Sequence, residues 1–127
     1  MDRILYSAVL MILMAGSAPL AEGIWGGPSI QMTVGPQGAA VDLDCANGAI
    51  DGPIAVGSDG RFRASGTYAV EHGGPMREGE EMGRPAVYEG RVEGKKLTLV
   101  ILIAEGKQEV GTYELAQGRS GRIMKCM

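Results

Sequence analysis

Ile30-Gln31-Met32-Thr33-Val34-Gly35-Pro36-Gln37-Gly38, followed after Ala39-Ala40 by Val41-Asp42-Leu43-Asp44-Cys45, is the stretch on which the fold turns. Apolar and polar residues alternate in both runs, which sends successive side chains to opposite faces of a β-strand. The Gly and Pro residues between the runs mark a chain reversal. With Ile30, Met32 and Val34 facing inward, Val41, Leu43 and Cys45 point into the same core, and Asp42 and Asp44 meet water. Asn47-Gly48 then predicts a tight turn, since Gly accepts positive φ and Asn tolerates it. Ile50 and Ile54 follow around Gly52-Pro53.

The same alternation continues along the chain. Asp59-Gly60 predicts a turn, and residues 61–71 a strand with Phe62, Ala64, Gly66, Tyr68 and Val70 on one face. Residues 86–93 alternate, Gly94 turns, residues 97–103 are apolar on both faces, and Glu105-Gly106-Lys107 turns again. Strands over 110–116 and 122–126 complete the chain. Beyond residue 21 there is no helical period and no repeat of fixed length. About eight short strands joined mostly by hairpins predict an all-β fold, a single small antiparallel β-barrel of up-and-down strands closed by pairing of the first strand with the last. A β-sandwich is the alternative. An eight-stranded barrel is just wide enough to fill with side chains or to hold one small ligand. An aromatic content of 5% leaves little to line a pocket and favours a filled interior.

The N-terminus reads differently. Arg3 precedes an apolar run of about 12 residues, Ile4 to Ala15, and then the small residues Gly16-Ser17-Ala18 and Pro19-Leu20-Ala21. That is the layout of a secretory signal peptide. The run is shorter than the roughly 20 residues a membrane-spanning helix needs. We expect residues 1–21 to be the signal peptide and residues 22–127 a single β-barrel domain, with the cut after Ala21. A cut after Ala18 is the alternative and leaves Pro19 first, and a buried N-terminal helix is the competing interpretation. No cysteine lies near the cut to carry a lipid. Export to the periplasm or the extracellular space is therefore expected, with membrane contact only through the peptide before cleavage.

The net charge is -3 and stays there after cleavage, because Asp2 and Arg3 leave together. Mild acidity gives no electrostatic footprint for nucleic acid. Cys45 and Cys126 are the only cysteines, and an even count in an exported chain predicts a disulfide between them. Two free buried thiols are the alternative. The bridge would join an early strand to the last one and fit the closure of a barrel.

One long irregular segment interrupts the hairpins, residues 72–85, His-Gly-Gly-Pro-Met-Arg-Glu-Gly-Glu-Glu-Met-Gly-Arg-Pro. Long loops in hairpin folds commonly carry binding. This one holds the sole histidine, His72, the carboxylates Glu78, Glu80 and Glu81, and the cations Arg77 and Arg84. A recognition loop at the barrel mouth is one interpretation and a solvated excursion the other. A catalytic or metal role for His72 with Glu71 is not expected. One histidine cannot supply the ligand set of most zinc sites, and a general base needs a nucleophile or water beside it. Ser29, Ser58, Ser65 and Ser120 lie in no nucleophile-elbow pattern. Asp42, Asp44, Asn47, Gly48 and Asp51 fail the calcium-loop spacing, because counting from Asp42 puts Ala46, Asn47 and Pro53 at positions five, six and twelve. No catalytic residue, metal or cofactor is therefore expected. Strand 97–103 has Val100 and Leu102 on its second face, an apolar patch of the kind that marks a partner or self-association surface, with coverage by the long loop or the N-terminal segment as the alternative.

Ile24-Trp25-Gly26-Gly27, residues 44–54 (Asp-Cys-Ala-Asn-Gly-Ala-Ile-Asp-Gly-Pro-Ile), Gly60-Arg61-Phe62, Gly66-Thr67-Tyr68, residues 71–79 (Glu-His-Gly-Gly-Pro-Met-Arg-Glu-Gly) and Lys125-Cys126-Met127 together resemble a group of small exported bacterial proteins of unknown function. A looser, architectural resemblance is to calycin-like barrels and to periplasmic metalloprotease inhibitors, which are small disulfide-bridged barrels. These resemblances imply the fold and an exported life and bring no activity with them. The expected function is a non-enzymatic binding module that uses the 72–85 loop, in its sharpest form an inhibitor of another envelope or secreted protein. The alternative is a carrier of a small apolar ligand in the barrel interior.

Overall fold

The computed structural model describes residues 16–71, 83–103 and 107–126. They form strands β1 (Ala18–Pro19), β2 (Gly23–Gly27), β3 (Ile30–Gly35), β4 (Gly38–Leu43), β5 (Ala46–Asp51), β6 (Ala55–Val56), β7 (Arg61–Val70), β8 (Arg84–Glu93), β9 (Lys96–Ile103) and β10 (Gln108–Gln117). Eight of these close a barrel in the order β10-β2-β3-β4-β5-β7-β8-β9, with every neighbouring pair antiparallel. The expected all-β barrel is the fold.

Alternation places the core as read from the sequence. Ile30, Met32 and Val34 on β3, Val41 and Leu43 on β4, and Leu97, Leu99, Ile101 and Ile103 on β9 are all buried. Trp25 and Tyr88 are the largest side chains enclosed, so the barrel axis is filled rather than hollow. On β7 the inward set ends early: Phe62 and Gly66 are buried, Tyr68 is half-buried, and Val70 is 62% exposed. Val100 and Leu102 on the second face of β9 are half-buried.

Three expectations about the ends of strands are corrected. The reversal after β4 is Asp44-Cys45, and Asn47-Gly48 continues β5, with Leu43 opposite Ala46 and Val41 opposite Gly48. Gly48 is needed for close approach and not for a turn: a Cβ there would collide with the Tyr88 hydroxyl and the Thr67 carbonyl inside the barrel. Cys45 consequently does not sit on a strand pointing into the core; it is half-buried in the turn with φ 53°. Residues 122–126 are not a strand either. Closure is made by β10 on β2, through Ala116 opposite Gly26 and Gln117 opposite Trp25, so the bridge from Cys126 plays no part in it. The chain beyond β10 instead runs back along the outside of β2 and β3 as a strap. Its one β-bridge among the described residues is parallel and isolated, Pro28 with Arg122. Gly26 makes room for it, since a Cβ there would strike the backbone of Arg119 and Gly121.

One end of the barrel is sealed by short pieces that carry no periodic signal. β1 pairs with β6, the Leu20 amide donates to the Ile54 carbonyl at 3.0 Å, and both side chains join the core. The Trp25 indole N–H donates to the Ala21 carbonyl at 2.9 Å. Residues Ala18 to Ala21, on the leader side of the boundary expected at Glu22, are thus integrated into the fold.

Candidate functional site at the bridged end of the barrel

The opposite end gathers the reversals after β2, β4 and β7 and the end of the strap. Register fixes this: Gly27 faces Ile30, Ile30 faces Leu43, Leu43 faces Ala46 and Ala46 faces Val70. The 72–85 loop expected from the sequence springs from here, between Glu71 and Gly83. His72, Arg77, Glu78, Glu80 and Glu81 lie outside the described residues. Arg84 is described: it is exposed, opens β8 and stands opposite Tyr68, and Pro85 belongs to the same strand. Arg84 and Pro85, expected in the loop, therefore belong to a strand.

The platform under that loop is built from backbone first. The Asp44-Cys45 turn needs a left-handed residue at Cys45, a conformation uncommon for a side chain with a Cβ. Three attachments hold it. The Cys45 amide donates to the Met124 carbonyl at 3.1 Å, the Cys45 carbonyl accepts from the Glu71 amide at 2.8 Å, and its sulfur is bridged to Cys126 with the Cα atoms 4.9 Å apart. The turn is thereby fixed to the strap on one side and to the root of the loop on the other.

Side chains complete the lock. Asp44 accepts from the Met124 amide at 2.7 Å, and Glu71 accepts from the Asn47 amide group at 2.6 Å. The Lys125 ammonium lies over the turn, 3.1 Å from Glu71, 3.5 Å from Asp42 and within 3.4 Å of the Leu43 and Ala46 carbonyls. An ammonium has three donors, so these four acceptors share it. Hydrogen bonds to the charged form favour ionisation. The Met124 amide, helped by the Ser29 hydroxyl and by Lys125, holds the Asp44 carboxyl below its ordinary range. Asn47 and then Lys125 do the same for Glu71.

Around this lock the surface is partly apolar. The large apolar side chains left open among the described residues are Ile24, Val70 and Met124, and the last two stand at this end, on the last residue of β7 and on the strap. Nothing in the local sequence marks Val70, Met124 and Lys125 as part of a site, and Asp42, Asp44 and Asn47, which fail the calcium-loop spacing, serve here as ion-pair and hydrogen-bond partners. A partial signal was present: pairing Cys45 with Cys126 brings the acidic stretch Asp42-Leu43-Asp44 near Lys125, which lies 3.5 Å from Asp42, while Asp44 takes the Met124 amide. Among the described residues no group of three or more His, Cys, Asp or Glu side chains is placed to hold a metal ion. Comparison with protein-family models, with curated proteins and with solved structures finds no match for this chain.

Proposed function

We propose that the protein is an exported, non-enzymatic binding module that engages another envelope or secreted protein through the bridged end of its barrel. In the sharpest form of this reading it is an inhibitor of that partner. The observation that carries the proposal is the coincidence, at one end, of a turn held by three attachments, Glu71 at the root of the expected loop, and two exposed apolar side chains, Val70 and Met124. Binding loops on a rigid scaffold lose less freedom on association, and apolar anchors within a polar rim supply most of the affinity. The bridge supports an oxidising compartment, where such pairs persist. The filled axis favours surface binding over the carrier alternative, since a ligand inside would have to displace Trp25, Met32 and Tyr88.

The test is affinity capture from the cell envelope followed by titration of the captured protein. One specific partner should be recovered. Its affinity should fall at least tenfold in Val70→Ser/Met124→Ser and in a chain with residues 73–81 replaced by a short Gly-Ser link. Substitution of Lys95, in the turn at the far end, should leave it unchanged. Equal affinity in all these variants, or recovery of a stoichiometric small molecule in place of a protein, overturns the reading.

A further inference from the structure

We infer that the export peptide is removed between Ser17 and Ala18, and that Ala18 to Ala21, β1 and the two residues after it, remain in the mature protein. The inference rests on the export reading and adds the processing site to it. Its observation is the use the fold makes of these residues. β1 is in register with β6, Ala18 opposite Val56 and Pro19 opposite Ala55. Leu20 is 5% exposed within the core cluster, and its amide donates to the Ile54 carbonyl. The Ala21 carbonyl receives the N–H of Trp25, a side chain only 1% exposed. A mature chain beginning at Glu22 would leave a hole where Leu20 sits, the Ile54 carbonyl without its donor, and the indole N–H buried without an acceptor. Buried polar groups are otherwise paired.

The sequence offers a better bond than the one after Ala21. Leader peptidases read small side chains at the first and third positions before the cut. Ala15 and Ser17 supply both for the Ser17–Ala18 bond. A cut after Ala21 places Pro19 at the third position. A cut after Ala18 would have to break the tertiary amide before Pro19. Hydrolysis of the Ser17–Ala18 amide by one water leaves a carboxylate on Ser17 and an ammonium on Ala18. Ala18 is exposed, so the new charge meets solvent.

The full chain, produced with its own leader in an exporting bacterial host, tests this by intact mass and N-terminal sequencing of the exported product. An Ala18 start is expected. A Glu22 start overturns the inference and leaves export standing; an uncut chain retained in the cell overturns both. Two chains placed behind an unrelated leader, beginning at Ala18 and at Glu22, add a second readout. The Glu22 chain should melt several degrees lower or fail to fold, and Leu20→Ala in the Ala18 chain should fall between. Equal melting temperatures for all three overturn the inference.

Discussion

Tyr88 shows most directly how single residues decide this interior. Its ring lies fully buried, and its hydroxyl donates to the Thr67 carbonyl at 2.6 Å through space that Gly48 leaves open. Asn47-Gly48 resembles a turn in the sequence because Gly serves two ends, positive φ and close approach, with the same letter. Only the position of Tyr88, forty residues away, separates them, so this part of the fold was not legible locally. Burial pushes the Tyr88 phenol well above its ordinary value of 10.0, with smaller contributions from Tyr68, Asp51 and Tyr113. A phenol held neutral in the folded state ionises first in the unfolded one, so its stabilisation is complete below pH 10 and is lost as the pH rises beyond it. Tyr88→Phe should therefore cost about 1 kcal/mol at pH 7, the typical worth of the lost hydrogen bond. Its deficit should shrink as melts are repeated from pH 9 to 11. Tyr113 is raised by burial too and remains in the variant, so some alkaline decline persists. A deficit that stays constant across that range would mean the phenol does not titrate with folding.

Among the elements, strands with long alternation were legible and short or irregular ones were not. β3, β4, β7, β8, β9 and β10 each present at least two inward residues at a spacing of two, which only one register satisfies. β1 and β6 have two residues each, too few for a period. The strap 118–126 imitates a strand in its letters, Arg-Ile-Met-Lys-Cys, yet no sheet edge is left for it once β10 has closed on β2. It is held through its backbone: the Arg122 carbonyl accepts from the Ser29 amide at 2.8 Å, the Arg122 amide donates to the Gly27 carbonyl at 3.1 Å, and the Gly121 amide donates to the Gln31 side chain at 2.9 Å. Closure and bridge being separate, Cys45→Ser/Cys126→Ser should keep the β-sheet signature in circular dichroism. The bridge spans 81 residues, for which chain entropy gives an upper limit of about 4.5 kcal/mol. Part of that is retained by the strap's hydrogen bonds, and a drop in melting temperature on the order of 10 °C is expected. Loss of the β signature at room temperature would show that the bridge, and not the β10–β2 seam, holds the barrel together.

At the scale of the whole molecule the two ends do different work. One is sealed by Leu20, Ile54 and Trp25, while the other is tied by charge, with Asp44 holding the strap to the turn and Glu71 holding the loop root to Asn47 on β5 and to Lys125 on the strap. Both carboxylates are held below their ordinary values of 3.8 and 4.5. A carboxylate depressed in the folded state contributes stability that is complete above its unfolded value and is lost as the pH falls through its folded one. The melting temperature should thus be level from pH 7 to about 5 and decline below 4.5, Glu71 first and Asp44 after it. Asp44→Asn/Glu71→Gln keeps an acceptor at both sites and removes both titrations, so its acid decline should be shallower than that of the parent. The bridge survives acid, which confines the loosening: amide exchange should accelerate at Cys45, Glu71 and Met124 before it does in β9, whose inward side chains are all core. Such an order would mean that acid loosens the proposed binding end while the barrel stands. Simultaneous exchange at both would mean the two ends unfold as one unit, and that the carboxylates hold the whole barrel rather than its mouth.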